Sequence, residues 1–462
     1  MAIRPRLAGK AHARAHQSIA ARAFLDRVAP FFAGSEISGG PMLIATIVAL
    51  VCTSTSLVPG WERFWDTQLR LEFGHARVHQ SLAEWIDQAL LPLFFIIIGT
   101  DVKRELVKGE LSEWRTAAFP LFGSIGGMVV PVALFFAIGG GGAGAAGWGA
   151  VVTSDTAFGL ALMAMFAGSL PAGVRALLLA FAAIDDLGGL LVIAFAYSHG
   201  FDPTGLAVAG GAFAAMLALR RLRWVSSLPY VLLAMLVWAG IFESGVHATI
   251  AGVVVGLVAP VAPRLDEERF AARVQDRVDR FQRAYRERQA VADDPQAEET
   301  AQHRVEKHLG YLDEMTSATD VTGERLVGLL NPWVSYLVLP LFVMSNVRIH
   351  LSGELIAESL GSTLALGVAA GLALGKPLGF LTFSALGTRL GLAALPERVT
   401  WGMIVAVGAL AGIGFTLSLF VAGLAFGEGA LREEASLAVL CASALAGTAG
   451  YFLLRWQARK QE

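Results

Sequence analysis

The sequence predicts an all-α polytopic membrane protein, and three observations carry that prediction. Of 462 residues, 55% are hydrophobic and only 16% charged, against about 25% charged in soluble domains. The apolar residues gather into runs of roughly 17–25, the length of a bilayer-spanning helix. Within one run, Val174 to Tyr197, two aspartates stand side by side, Asp185 and Asp186, and the only other charge is Arg175 at the entrance. A carboxylate at the centre of a membrane helix costs roughly 2.5–3.5 kcal/mol. A chain accepts that cost when the acids handle protons or cations inside the bilayer.

About twelve spans are expected, at 41–58, 88–107, 117–138, 149–168, 174–197, 204–219, 226–241, 245–262, 329–347, 361–384, 400–425 and 434–455. Several are short or crowded with glycine, so some are expected to be tilted or interrupted. Basic residues set the orientation. Arg4, Arg6, Lys10, Arg14, Arg22 and Arg27 lie in the N-terminal tail, and Lys103, Arg104, Lys108 and Arg115 follow the second span. Arg220, Arg221 and Arg223, then Arg389 and Arg398, then Arg455, Arg459 and Lys460 fall on the same side. Both termini are therefore expected in the cytoplasm. The first outer loop, about 59–87, mixes both signs and carries Trp61, Trp65 and Trp85, which suit an interfacial zone.

The chain thus divides into an N-terminal tail 1–40, eight spans within 41–262, a charged cytoplasmic insertion 263–328, four spans within 329–455 and a tail 456–462. In the insertion, Val274, Val278, Phe281 and Tyr285 have a 4-3-4 spacing, which reads as an amphipathic helix. It is either a solvated insertion or a regulatory or dimer-forming helix.

Four intramembrane features carry chemistry. Asp185 and Asp186 point about 100° apart on a helix, so the two cannot share one role: one can face a cavity and the other a neighbouring helix. A structural ion pair is the plainer reading. Thr153-Ser154-Asp155-Thr156 puts three hydroxyls and an acid inside a span. Local unwinding would present the oxygen ligands that hard cations prefer; hydroxyls bonding back to their own helix are the alternative. Lys376-Pro377 lies within an apolar run. Proline breaks the ladder, and the lysine needs a carboxylate or a helix C-terminal dipole unless it reaches an interface. Gly408 to Thr416, with Gly412, Gly414, Phe415 and Thr416, is dense enough in glycine to break a helix where backbone lines a cavity, or else to pack helices closely.

Other classes are disfavoured. A net charge of −2 with no separate basic domain gives no reason to expect nucleic acid. Cys52 and Cys441 both sit in apolar runs, so neither a disulfide framework nor a metal knuckle is suggested. The charged first 30 residues do not read as a signal peptide. No phosphate-binding loop appears, so ATP drive within the chain is not expected. No Gly-Asp dipeptide occurs, which argues against an intramembrane aspartyl protease. No cofactor and no enzymatic activity are expected.

Taken together, the chain resembles the NhaA family of sodium/proton antiporters from about Gly39 to Arg455, the insertion excepted. The resemblance rests on Asp101-Val102-Lys103-Arg104-Glu105-Leu106, Ala117-Ala118-Phe119-Pro120, Ala183-Ile184-Asp185-Asp186-Leu187-Gly188 and Ser244-Gly245-Val246-His247-Ala248-Thr249. It continues through Pro332-Trp333-Val334, Leu339-Pro340-Leu341-Phe342, Gly375-Lys376-Pro377-Leu378-Gly379 and Gly412-Ile413-Gly414-Phe415-Thr416. The resemblance implies inverted-topology repeats and two interrupted, crossing helices. It implies exchange of cytoplasmic sodium or lithium for external protons, in a bacterial inner membrane, by a homodimer joined through the first outer loop. It makes Asp186 the main sodium ligand and Asp185 a second proton-bearing carboxylate paired with Lys376 when sodium is absent. Ser154 and Asp155 would sit at the helix crossing. Asp101, Arg104 and Glu105 would form the cytoplasmic mouth that senses pH, and His247 would contribute to the pH response. The chain departs from the family at Val327, where a pH-linked glutamate is usual, at Gln88, where an aspartate is usual, and in the long insertion. The departures bear on the pH profile, not on the transport chemistry.

Overall fold

The computed structural model describes residues 39–461 apart from 74–75, 140, 167, 199, 201, 223–227, 262–274, 276–277 and 287–321. The N-terminal tail and most of the insertion, with Val274, lie outside the described residues. Residues up to Leu257 together with those from Leu330 form one compact unit, and Val258–Leu329 forms a second. In the second, residues 278–286 are helical and the rings of Phe281 and Tyr285 stack 6.1 Å apart. That contact is the i, i+4 half of the expected amphipathic stripe.

The first unit is a bundle of helices. Among the described residues, seven are long and apolar enough to cross a membrane. They are Leu82–Lys108, Trp114–Ile138, Ala172–Ala196, Pro203–Arg221, Gly323–Asn346, Thr363–Arg389 and Ala430–Arg459. Two bent pairs also pass as spans: Gly39–Thr53 with Val58–Trp65, bent by 119°, and Trp401–Ala411 with Phe415–Phe426, bent by 41°. Leu228–Glu243 and Thr249–Val258 are shorter apolar helices.

Three departures from the sequence reading have physical causes. The expected span 41–58 stops at Thr53, because Ser54, Thr55 and Ser56 favour a turn and Pro59 opens the next helix. The expected span 149–168 is α-helical only over Thr156–Ala164, preceded by a 3₁₀ stretch, Gly142–Val151, whose glycines make a poor α-helix. The first outer loop departs from the all-α expectation. Gln68–Phe73 (β1) and Ala76–Ser81 (β2) form an antiparallel hairpin, the one sheet among the described residues.

Proline explains a recurring detail. Three π-turns, Ile86–Leu90, Val334–Val338 and Gly371–Gly375, each end two residues before a proline: Pro92, Pro340 and Pro377. A proline has no N–H for the carbonyl four residues back and its ring crowds that carbonyl. The wider π-turn relieves both conflicts and keeps the span continuous. The last of these turns sets the position of Lys376. Close packing fixes that helix further: Gly379 and Gly126 of Trp114–Ile138 meet so tightly that neither position has room for a Cβ.

Candidate functional site

Four elements converge at the centre of the bundle. The label α1 denotes Thr156–Ala164, α2 Ala172–Ala196, α3 Lys376–Arg389 and α4 Phe415–Phe426. The first helix is entered through Val152 to Asp155, which lack regular structure, and α4 follows the break at Gly412 to Gly414.

The two breaks are hydrogen-bonded to each other. Asp155 N donates to Ile413 O at 2.6 Å, and Ser154 Oγ donates to Ala411 O at 2.7 Å. Asp155 lies between two helix N-termini. Its Oδ1 accepts from Phe158 N at 3.0 Å, capping α1, and its Oδ2 accepts from Thr416 N at 3.2 Å and Thr416 Oγ1 at 2.6 Å, at the start of α4. Two positive dipole ends thus face one carboxylate. Thr153 is tied to α4 as well, through Ser418 Oγ, which lies 3.2 Å from Thr153 Oγ1 and donates to Thr153 O.

The second break is held from behind. Ser443 Oγ accepts from Gly414 N at 3.2 Å and Phe415 N at 3.0 Å, satisfying two donors that the interrupted helix leaves open. Phe415 has a positive φ of 26°. A Cβ at Gly412 would stand 2.7 Å from Leu372 O in the π-turn before Lys376. Glycine at 412 therefore lets the break lie against the turn that positions the lysine.

Lys376 is wholly buried. Its Nζ donates to Asp185 Oδ2 at 2.9 Å, to Asp185 Oδ1 at 3.1 Å and to Ser154 Oγ at 2.5 Å. Asp185 is equally buried. Asp186, on the next residue of α2, points elsewhere. Its carboxylate accepts from Thr156 Oγ1 at 3.1 Å, and no cation pairs with it among the described residues. Asp186, Ser154 and Thr153 border one narrow space with Phe95 and Leu417 that admits no water-sized sphere. The arrangement has one acid neutralised by a lysine and a second acid held only by a hydroxyl, beside a wall of further hydroxyls. Such oxygen donors suit a hard cation or a proton.

The remaining candidates lie apart. Asp101 and Arg104 form an ion pair of 3.1 Å, and Glu105, nearly buried, accepts from Glu110 N at 3.2 Å. The three lie towards the end of Leu91–Lys108, away from the acid pair. His247 sits elsewhere, its Nδ1 3.1 Å from Thr249 Oγ1 and its ring edge-on to Phe420 at 4.9 Å. It borders a cavity of about 260 Å³ with Gln80, Gln88 and Tyr197. The sequence reading missed Ser418 and Ser443. Each is a hydroxyl in an apolar run, a weak signal because serine often bonds back to its own helix.

Comparison with known proteins identifies the family. The family model described as Na+/H+ antiporter 1 matches residues 29–454. The chain is 38% identical over 410 residues to the Na(+)/H(+) antiporter NhaA 2 of Sorangium cellulosum, covering 88% of this chain and 84% of that one. It is 37% identical over 419 residues to the NhaA antiporter of Rhodopirellula baltica, covering 91% of each. It is 37% identical over 430 residues to that of Bordetella petrii, covering 92% of this chain and 89% of the other. A helical, multi-pass chain matched along nearly its whole length by these relatives belongs to the NhaA family of Na+/H+ antiporters.

Proposed function

We propose that the protein is an electrogenic secondary antiporter that exports sodium, or lithium, from the cytoplasm in exchange for external protons, for pH and sodium homeostasis. The observation that carries this reading is the asymmetry of the acid pair: Asp185 is bound to Lys376, while Asp186 faces the hydroxyls of Thr156 and, across a narrow space, Ser154 and Thr153. In the cycle, sodium enters from the cytoplasm and takes Asp186 as its main ligand, with Asp185 released from Lys376 and Ser154 as further oxygens. Two protons leave as one sodium binds, one from Asp186 and one from the Asp185–Lys376 pair. The reverse exchange on the outer side loads two protons and frees the sodium. Each turn therefore moves one net positive charge inward. Nothing in the cycle makes or breaks a covalent bond other than to hydrogen, so the protein is a transporter and not an enzyme.

The same reading places the chain in a bacterial inner membrane with both termini cytoplasmic. The seven long helices, the two bent pairs, the two shorter apolar helices and the interrupted segment from Gly142 to Ala164 would supply twelve crossings. The interrupted segments would be the crossing elements of two inverted repeats, and alternating access would come from one helical group rocking against another. Asp101, Arg104 and Glu105 would line the cytoplasmic mouth and His247 the outer cavity, and from there would tune the pH response. The hairpin β1–β2 would lie outside and join two copies.

The test is sodium-driven proton flux in proteoliposomes. Coupled flux at a fixed ratio, lost in Asp186→Asn, supports the reading. Sodium flux without coupled proton movement would identify a channel instead.

A further inference from the structure

One polar cluster takes no part in the acid-pair site. It surrounds Arg432, in the first turn of Ala430–Arg459. A positive charge is electrostatically misplaced at a helix N-terminus, so the reason for an arginine here lies in what it grips. Its Nη1 donates to Gly427 O at 3.4 Å, at the C-terminal end of α4, and its guanidinium rests against Gly423 of that helix. Its Nη2 donates to Asn346 Oδ1 at 3.3 Å and Asn346 O at 3.4 Å. Asn346 in turn donates to Asp87 Oδ1 at 2.9 Å.

Asn346 ends the helix Leu339–Asn346, and Asp87 lies in the π-turn Ile86–Leu90. Both belong to a group of helices that supplies neither acid nor lysine to the central site. Leu339–Asn346 packs on Gly39–Thr53, and Thr53 Oγ1 donates to Ile349 O at 2.8 Å. Arg432 therefore ties α4, whose other end meets Asp155, to a separate group of helices. Two further ties run parallel to it. Arg348 pairs with Asp66 and with Glu428 at 2.9 Å each, and His350 lies between Glu433 at 3.2 Å and Glu62 at 3.4 Å.

The same pair of elements also meets through apolar side chains. Phe420 of α4, one turn beyond Thr416, is buried against Phe342 at 5.7 Å and His247 at 4.9 Å. The cavity beside His247 is bordered by Leu424 of α4. Phe420 thus stands between that cavity and the hydroxyls of the break. The contacts of Phe420 with Phe342 and His247 and the bonds of Arg432 therefore hold the same end of α4 beside the cavity.

We propose that Arg432, with Asn346 and Asp87, is an outer clamp. It holds α4 against the helix Leu339–Asn346 and keeps the external entrance shut in the conformation described here, and its release accompanies outward opening. The word outer rests on the orientation proposed above.

The test reads accessibility and not transport. In full-length protein with Cys52→Ala and Cys441→Ala, a membrane-impermeant maleimide is added outside intact cells and the labelling rate of Leu424→Cys is measured. Ala117→Cys, buried at the opposite end of the bundle, is measured in inverted vesicles. Adding Arg432→Gln is expected to speed labelling at 424 by roughly threefold to tenfold, as removal of a charge-assisted tie shifts a two-state population. Labelling at 117 should not rise. Arg432→Lys, which keeps the charge but not the fork, should fall between. Asp87→Asn should act in the same direction more weakly, and serves if Arg432→Gln does not fold. Unchanged labelling at 424, or a parallel rise at 424 and 117, overturns the clamp. An antiport reading that fails would show instead as absent sodium-driven proton flux in the unsubstituted protein, and a reversed orientation as labelling of 424 from the inner face alone.

Discussion

Lys376 and Asp185 lie 2.9 Å apart with both side chains wholly excluded from solvent, so each is the other's condition for being charged inside the bundle. Breaking a buried pair by removing one partner costs roughly 3–5 kcal/mol, because the remaining charge is left uncompensated. Lys376→Gln and Asp185→Asn are each expected to lower thermal stability markedly. The double variant Asp185→Asn with Lys376→Gln is expected to recover part of the loss. Melting of the purified protein in detergent checks this, and additive losses in the double-mutant cycle would show that the pair contributes nothing jointly.

Asp186 differs from its neighbour in having, among the described residues, a hydroxyl and no cation as its partner. Asp186→Asn keeps the shape and an acceptor for Thr156, so folding and melting temperature are expected to change little. Sodium-driven proton flux is expected to fall to background at every pH. Flux above background in this variant would remove Asp186 from the role of cation ligand.

Much of the central arrangement is written locally in the chain. Aspartates, a lysine and a hydroxyl cluster in apolar runs are expensive, and each expense is visible one residue at a time. The break at Gly412 to Gly414 is visible for the same reason, since glycine density marks weak helix. What the residues themselves do not give is pairing across long separations; the pairing of Lys376 with Asp185 was expected through the family resemblance alone. Nothing local says that Lys376 meets Asp185 and not Asp186; that follows from the roughly 100° between neighbouring positions on α2 and from the π-turn that Pro377 imposes. Ser443 and Asn346 carry no cost that stands out, yet one satisfies the backbone of a broken helix and the other links Arg432 to Asp87. The hairpin β1–β2 was legible and overlooked: Gln68-Leu69-Arg70-Leu71-Glu72-Phe73 alternates polar and apolar with a period of two and is followed by Gly74.

Ser443 offers a test of how far the break depends on support from outside the ion site. Its hydroxyl is the acceptor for both Gly414 N and Phe415 N. Ser443→Ala leaves two buried donors without it, at a cost of about 1–3 kcal/mol. The expected result is lower stability together with a raised sodium requirement, because Thr416 and Asp155 lose their fixed spacing. Ser443→Thr, which restores the hydroxyl, should recover both. Loss of stability with an unchanged sodium requirement would confine Ser443 to folding.

The hairpin makes the last prediction. A two-stranded sheet is marginal alone, and among the described residues no third strand pairs with this one. Its base is tied down: Leu82 N donates to Thr67 O at 3.0 Å, and Ser81 caps the following turn through Glu84 N. The register from Gln68 opposite Ser81 to Phe73 opposite Ala76 is therefore fixed before any partner arrives. Strands so presented can pair edge to edge with those of a second copy, the association expected of this loop. Replacing residues 69–80 with a short Gly/Ser turn is expected to give monomers in detergent while most of the exchange activity is kept, because the acid pair and both breaks lie in other elements. Cross-linking and sedimentation check the first expectation and proteoliposome flux the second. A dimer that survives the replacement would place the contact between copies on helices instead.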